Sequence, residues 1–296
     1  MNQEYIEFKR KRELGEIISV TFAFVRDNYK SLLSILFKIS WPILILALAA
    51  SIFYMYTTFG LGFGQGSFGI LSSAGMMSGI FVLALFAMLI CTVLLYAVLY
   101  SGTLQYIKSY VKHQGQVEEL EVRQGVKNSV GGMIGLLFLV GIMIVIGLFI
   151  CFFPGVYLAV PLSLTFAIYT FERKDIGEAI SHSFTLIKDH WWVTFFTIII
   201  ISILVAIINY IFQIPALIYF FAKTFISIQD INTADPTSMV DWIDLILNSI
   251  ATLAQYIFSI VSVVCITFIY FNLNEHRHDT GTFEQIENLG KRTSDS

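Results

Sequence analysis

The chain has 296 residues, of which 56% are hydrophobic and only 13% are charged, and its mean hydropathy is +0.76. A soluble core of this size cannot bury so much apolar surface, so lipid must be the solvent for much of the chain. The formal net charge of -3 gives no basic field of the kind that nucleic-acid binding needs, which excludes DNA and RNA as expected partners. Membrane lipids are expected partners instead.

The amino-terminal segment is basic at residues 9–12 and then amphipathic over residues 13–30. Apolar side chains recur on one helical face of residues 13–30, which predicts an interfacial helix that lies in the membrane plane. The apolar run that follows begins only near Leu32, too far from the terminus for a signal peptide. We therefore expect an uncleaved first membrane span.

Six segments have the length of about 20 apolar residues that a bilayer crossing needs. They are residues 33–56, 78–104, 131–153, 155–171, 193–212 and 247–272. The third and fourth are joined only by Phe153-Pro154-Gly155, which predicts a tight hairpin. The sequence thus predicts an all-α integral membrane protein with a single polytopic domain over residues 1–274 and a polar, disordered tail over residues 275–296.

Lysine and arginine are concentrated before the first span, after each even-numbered span and in the tail, which places both termini in the cytoplasm. The opposite face is predicted to carry a glycine-rich loop over residues 60–69 and an acidic stretch over residues 230–244.

Residues 175–192 align without a gap with residues 13–30, which predicts an internal repeat and a second interfacial helix over residues 175–190. The identical pairs are Gly15 and Gly177, Glu16 and Glu178, Ile18 and Ile180, Ser19 and Ser181, Phe22 and Phe184, and Asp27 and Asp189. The spacing of Asp175 and Glu178 also predicts a helix amino-terminal cap.

The pattern over residues 172–192 has an acid after a span, then Glu-Ala-Ile, a Ser-Phe pair, a basic residue and Trp-Trp. It resembles the polytopic membrane domain that is fused in some bacteria to glycerophosphodiester phosphodiesterases, and residues 12–42 are similar to the amino-terminal part of that group. The resemblance implies a bacterial inner-membrane module. It implies no phosphodiesterase activity, because the His-Arg-Gly element of the fused barrel has no counterpart beyond His276-Arg277-His278.

Two groups of polar residues are candidate sites. Asn209, Gln213, Asn248 and Gln255 lie within spans, where they either pack helices together or line a polar cleft. Glu172, Asp175, Glu178 and His182 form a candidate interfacial cluster. Neither group has a recognisable catalytic frame, so no catalytic residue, metal or cofactor is predicted.

Three functions remain open at this point. The leading hypothesis is a non-enzymatic scaffold or subunit of a membrane complex, with other membrane proteins or a second copy of the chain as partners. The alternative is a transporter or lipid-handling protein, because Pro161 and Pro215 can interrupt helices around a cavity. A lipid-headgroup enzyme at the interfacial cluster is the second alternative.

Overall fold

The computed structural model describes residues 5–62, 79–229 and 242–278, and every regular element in these ranges is a helix. The helices are α1 (Leu14–Gly62), α2 (Gly79–Lys112), α3 (Glu119–Ile150), α4 (Phe152–Glu172), α5 (Ile176–Leu186), α6 (Trp191–Gln229) and α7 (Trp242–His278). All except α5 are long and apolar enough to cross a membrane. The predicted all-α membrane fold with about six spans is therefore confirmed.

Several predicted loops and the tail fall largely outside the described residues. These are the glycine-rich stretch from residue 63, the acidic stretch over residues 230–241 and the tail from residue 279. The part of the predicted tail that is described belongs instead to α7, which continues to His278. Glu275, at the start of the predicted tail, is 2% exposed.

Helix α1 runs without interruption through the predicted interfacial helix and the first span. Its 49 residues correspond to about 74 Å at 1.5 Å per residue, more than twice the roughly 30 Å of a hydrocarbon core. The expectation of a separate helix over residues 13–30 is not met, because no proline or glycine between residues 30 and 33 ends the helix. Pro42, farther along, lies inside the same helix.

Helices α3 and α4 form a hairpin whose turn is at Cys151 rather than at the predicted Phe153-Pro154-Gly155. In a continuous helix the Pro154 ring would collide with the carbonyl group four residues earlier, which belongs to Ile150. Helix α3 ends at Ile150, and Cys151 adopts extended backbone angles. Pro154 then occupies the first turn of α4, where a missing N–H leaves no hydrogen bond unmade.

Helix α5 replaces the longer interfacial helix predicted over residues 175–190. It ends at Leu186 and is followed by a turn before α6 starts at Trp191. The two copies of the predicted repeat therefore differ. The helix of the first copy continues into a membrane span, whereas the helix of the second copy ends before the next span begins. Equivalent positions are nevertheless buried in both: Ile17 and Ala179, Thr21 and Ser183, and Phe24 and Leu186. The repeat itself stays a prediction.

The chain divides into two compact units, where the sequence predicted one domain. Unit 1 comprises Met1–Phe37, Ala97–Leu204 and Ile260–Ser296, and unit 2 comprises Lys38–Tyr96 and Val205–Ser259. Helices α1, α2, α6 and α7 each contribute a segment to both units. The two prolines that were expected to interrupt helices do not do so. Pro161 lies inside α4, and Pro215 lies inside α6.

The core of unit 1 is an aromatic cluster around Phe8, a residue that precedes α1. The Phe8 ring stacks on Phe268 and meets the edge of Phe24 at 5.2 Å between centroids. Arg12 holds the preceding segment in place, since its guanidinium donates to the carbonyl oxygens of Glu7, Phe8 and Arg10. Its backbone N–H donates to Asn272 Oδ1 over 2.7 Å.

Unit 2 is built on small side chains. Five alanines are buried in it: Ala47, Ala84, Ala216, Ala251 and Ala254. Small residues allow helix backbones to approach closely, which is how helices associate in lipid. Large apolar side chains such as Ile45, Leu83 and Ile218 are more than half exposed, as expected of a surface that faces lipid chains.

Candidate functional site

A polar groove in unit 1 is the first candidate site. It lies among the end of α2, the start of α3, the end of α4 and the connection to α5, and its volume is about 560 Å³. Three basic residues line it: Lys108, Arg173 and Lys174. The remaining lining includes amide and hydroxyl side chains. The groove can therefore bind a ligand that carries both an anionic group and hydrogen-bonding groups.

Lys108 is a half-buried cation in this groove. Its ammonium donates a hydrogen bond to the carbonyl oxygen of Thr170 over 2.6 Å. No carboxylate of a described residue forms an ion pair with it. An ammonium has three donors, so Lys108 retains donors for a bound anion.

Arg173 is the second cation without an ion pair, and its side chain is exposed. It is the residue that ends α4, in a left-handed conformation with φ 54° and ψ 34°, which is uncommon for a residue other than glycine. This conformation turns the chain from α4 towards α5 and places the Arg173 side chain at the groove. Within the described ranges its guanidinium has no carboxylate partner.

The acidic residues of the groove, Glu121 and Asp175, form no ion pair with these cations. Glu121 is bound instead to Lys112 Nζ at 2.8 Å and to His113 Nε2 at 2.9 Å. Asp175 also lines the groove, with its side chain exposed to solvent. The groove therefore presents Lys108 and Arg173 as its available positive charges, with the Asp175 carboxylate beside them.

Two glycines of α3 make room for the polar lining. A Cβ added at Gly125 would lie 2.6 Å from Gln105 Oε1, and one added at Gly132 would overlap the Tyr169 side chain. Gln105 Nε2 in turn donates to the Ser129 hydroxyl over 3.3 Å. The two glycines thus let Gln105 and Tyr169 lie directly against the backbone of α3.

The predicted interfacial cluster is assembled only in part. Glu172 Oε2 lies 2.9 Å from His182 Nδ1, whereas the side chains of Asp175 and Glu178 are exposed. Asp175 is the N-cap residue of α5, as predicted, but its side chain makes no capping hydrogen bond.

Two residues that the sequence did not single out complete this cluster. Lys174 Nζ lies 2.6 Å from Glu172 Oε2 and 2.8 Å from His182 Nδ1. The Tyr270 hydroxyl donates to Glu172 Oε1 over 3.0 Å. Burial lowers the pKa of His182 below its ordinary value. The positive charges of Lys174 and Arg277 lower this pKa further, whereas the Glu172 carboxylate raises it. Lys174 also lines the groove, so the two features are adjacent.

The second predicted group lies in unit 2, where three of its four members are connected to a second cavity. Asn248 and Gln255 line a cavity of about 330 Å³ among α1, α2 and α7. Gln213 Nε2 donates to Asn248 Oδ1 over 3.4 Å. Asn209 does not line the cavity, and its side-chain oxygen is buried without a hydrogen-bond partner.

A metal ion has one possible donor set among the described residues, although the sequence predicted none. The side-chain donors of His113, Glu118 and Glu121 lie within 4.8 Å of one another, at the turn between α2 and α3. Lys112 already binds Glu121, and its charge opposes that of a cation.

No protein family model, curated protein or solved structure matches this chain. The resemblance to the membrane domain of glycerophosphodiester phosphodiesterases stays a prediction. The function proposed below follows from the geometry of the two sites.

Proposed function

We propose that this protein is a non-enzymatic, multi-pass membrane protein that handles lipid by binding anionic phospholipid headgroups in the unit 1 groove. The observation that carries the proposal is the pair of cations, Lys108 and Arg173, which line a groove of about 560 Å³ without a carboxylate partner among the described residues. The Lys108 charge is half-buried, whereas Arg173 is exposed, and a partly buried charge is stabilised by an opposite charge. A phosphate group supplies that charge, together with oxygens that accept hydrogen bonds.

The position of the groove suits a headgroup. Lys108 lies one helical turn before the end of α2, and Arg173 immediately follows α4, so the groove is at helix ends, where the headgroup layer begins. Every described lysine and arginine except Lys38 and Lys223 belongs to unit 1. By the positive-inside rule this charge distribution supports an orientation with both termini in the cytoplasm, on the side that carries anionic lipid. The proposal of a bacterial cytoplasmic membrane depends on the family resemblance of residues 172–192.

The scaffold hypothesis has less support from the structure. It depended on interfacial helices free to dock on a partner. The buried positions of both amphipathic segments, such as Phe24 and Leu186, are instead covered within the chain itself. The lipid-handling alternative depended on a cavity among the helices, and each unit contains one.

Native mass spectrometry of the purified protein tests the proposal by comparing bound phosphatidylglycerol with bound phosphatidylcholine. We expect phosphatidylglycerol to bind preferentially to the wild type. Lys108→Met should weaken that binding roughly tenfold to 150-fold, the effect of losing a charged hydrogen bond of about 1.5–3 kcal/mol. Arg173→Asn removes an exposed charge and should weaken it by up to about fivefold, since exposed ion pairs contribute roughly 0–1 kcal/mol. Asparagine is chosen at position 173 because it tolerates the left-handed conformation.

The matched control is Lys127→Met, which removes an exposed lysine of α3 that does not line the groove. Equal binding of both lipids by the wild type, or equal losses in the control and groove variants, would contradict the proposal. The same spectra show the mass of the bound lipid. A mass reduced by the headgroup would support the alternative of a headgroup enzyme.

A further inference from the structure

The unit 2 cavity differs from the groove in its chemistry, because none of the described side chains that line it carries a charge. Its volume of about 330 Å³ is at the lower end of the range for small-molecule sites, roughly 300–1,000 Å³. An ion without a counter-charge is strongly disfavoured in such a site. The lining therefore selects against charged ligands.

One wall of the cavity is polar. Asn248, Thr252 and Gln255 follow one another at spacings of four and three residues, so they share one face of α7. Thr92 and Tyr96, four residues apart on α2, line the same cavity. The Asn248 amide is already bound to Asp244 and Gln213, and the Thr252 hydroxyl donates to the Asn248 carbonyl oxygen over 2.8 Å. The wall therefore offers a ligand the Gln255 amide and the accepting lone pairs of the Thr252 oxygen.

Gln255 has hydrogen-bonding capacity that no described residue uses. Its amide carries two N–H donors and one acceptor oxygen, and its one bond to a described residue is a long donation of 3.5 Å to the Tyr96 hydroxyl. It follows Trp242 by 13 residues, or about 20 Å along α7, which places it well inside the span. An amide at that depth needs a polar partner, because lipid chains supply none.

The opposite wall is apolar and adaptable. Ile52 and Met55 come from α1, and Met88 comes from α2. Methionine side chains are flexible and fit chains of varied shape. The cavity opens to the protein surface, because Gln255 and Ile52 are both exposed, so an apolar chain can extend from it into the surrounding lipid.

We infer that this cavity binds the polar end of a neutral glycerolipid, with its hydroxyl and ester carbonyl groups on Thr252 and Gln255 and its acyl chains against the methionine wall. The lipid hydroxyl donates to the Thr252 oxygen, whose own hydrogen is donated to the Asn248 carbonyl oxygen, and an ester carbonyl accepts from the Gln255 amide N–H. Because the site lies wholly in unit 2, it is independent of the anionic groove.

Photolabelling with a clickable diacylglycerol that carries a diazirine in one acyl chain tests this inference. The protein is reconstituted in phosphatidylcholine nanodiscs, and a phosphatidylcholine probe with the same diazirine chain is the comparison, because its zwitterionic headgroup carries a phosphate anion and an ammonium cation. We expect the diacylglycerol probe to label residues of the cavity preferentially. Excess unlabelled dioctanoylglycerol should suppress that labelling, and this competition requires no variant.

Two variants remove the site in different ways. Thr252→Val combined with Gln255→Leu removes the polar wall, and Ser249→Leu fills the cavity from α7 while keeping that wall. Each should lower cavity labelling about tenfold, the loss expected for roughly two ordinary hydrogen bonds or for lost space. Ser259→Ala is the matched control, because its hydroxyl bonds to the Tyr256 carbonyl oxygen and does not line the cavity.

Equal labelling by the two probes would overturn the inference, as would labelling that unlabelled dioctanoylglycerol does not suppress. Melting temperatures of the purified variants show whether each is folded. If the double variant is unfolded, Ser249→Leu and the wild-type competition decide the outcome.

Discussion

The ring of Phe8 stacks on the ring of Phe268, with 4.1 Å between their centroids and 5° between their planes. Phe8 precedes the first helix and Phe268 belongs to the last, so this contact joins the two ends of the described chain within unit 1. Both side chains are fully buried. A residue outside any helix thus occupies the centre of the unit 1 core.

Replacing Phe8 with alanine should lower the free energy of unfolding by about 3–5 kcal/mol, because the cavity left among the aromatic rings cannot be refilled by its neighbours. Denaturant unfolding of the purified protein in detergent measures this change. Leu120→Ala is the control, since Leu120 is 73% exposed and its loss should change stability by about 0.5 kcal/mol or less. Equal effects of the two changes would show that Phe8 is not a core residue.

The sequence predicted the helices but not the role of this amino-terminal segment. The apolar runs are local signals, and six of them are found as long helices. Residues 5–13 have no helical or strand period that would mark Phe8 as buried. Arg12 resembles any interfacial cation in sequence, yet its backbone bonds to Asn272, 260 residues away. Contacts of this range follow from the packing of helices, which no local pattern contains.

Gly132→Ala should destabilise the protein by about 1–3 kcal/mol, the usual effect of overpacking, because the added methyl group would overlap the Tyr169 side chain. Displacing Tyr169 also alters the groove, so phosphatidylglycerol binding should weaken. Denaturant unfolding and native mass spectrometry measure the two effects.

Gly131→Ala is a closely matched control for that change. A Cβ at Gly131 meets nothing within 4 Å, and alanine favours a helix over glycine by about 1 kcal/mol. The neighbouring substitution should therefore leave stability unchanged or raised, with lipid binding intact. A loss of stability at both positions would mean that the helix, rather than the contact with Tyr169, is sensitive.

The sequence predicted only part of the candidate sites, because its patterns report contacts between residues that are close together in the chain. Glu172 and His182 are ten residues apart on either side of a short turn, so their proximity could be predicted locally. The bond from Lys108 to Thr170 spans 62 residues and depends on how α2 and α4 are rotated about their axes. The rotation of α3 relative to α4 likewise decides that Gly132, rather than Gly131, faces Tyr169. Hydrophobic periodicity in an almost wholly apolar span does not specify it.

His182 should make stability depend on pH below neutrality. Burial lowers the pKa of His182 in the folded protein, so the folded state keeps the ring neutral at a pH where the unfolded state, with a pKa near 6.5, already binds a proton. Stability is therefore highest above about pH 6.5 and falls as the pH decreases from there towards the lowered pKa.

The melting temperature measured between pH 7.5 and 5.5 checks this dependence. His182→Gln has no proton to bind in this range, so its melting temperature should vary less with pH than that of the wild type. His278→Gln, at the exposed end of α7, should retain the wild-type dependence. If His182→Gln retains it too, another group is responsible.

Cys151 allows the orientation to be tested without engineering a new cysteine. It is exposed at the turn between α3 and α4, whereas Cys91 and Cys265 are buried. With cytoplasmic termini, this turn should lie on the outer side of the membrane, because α3 would be the third span from the cytoplasm. A membrane-impermeant maleimide should therefore label intact spheroplasts expressing the wild type but not those expressing Cys151→Ser.

The apolar side chains around this turn make the same experiment informative about depth. Four apolar side chains at the turn are each at least 67% exposed: Phe149, Ile150, Phe152 and Phe153. The turn therefore presents an apolar surface that is more stable in the membrane than in water. Labelling in intact cells would place the Cys151 thiol in water at the outer interface, and labelling only after lysis would reverse the orientation. A thiol that reacts only after detergent is added would lie below the headgroups. Helices α3 and α4 would then form a re-entrant hairpin, which returns the chain to the same side and leaves both termini together.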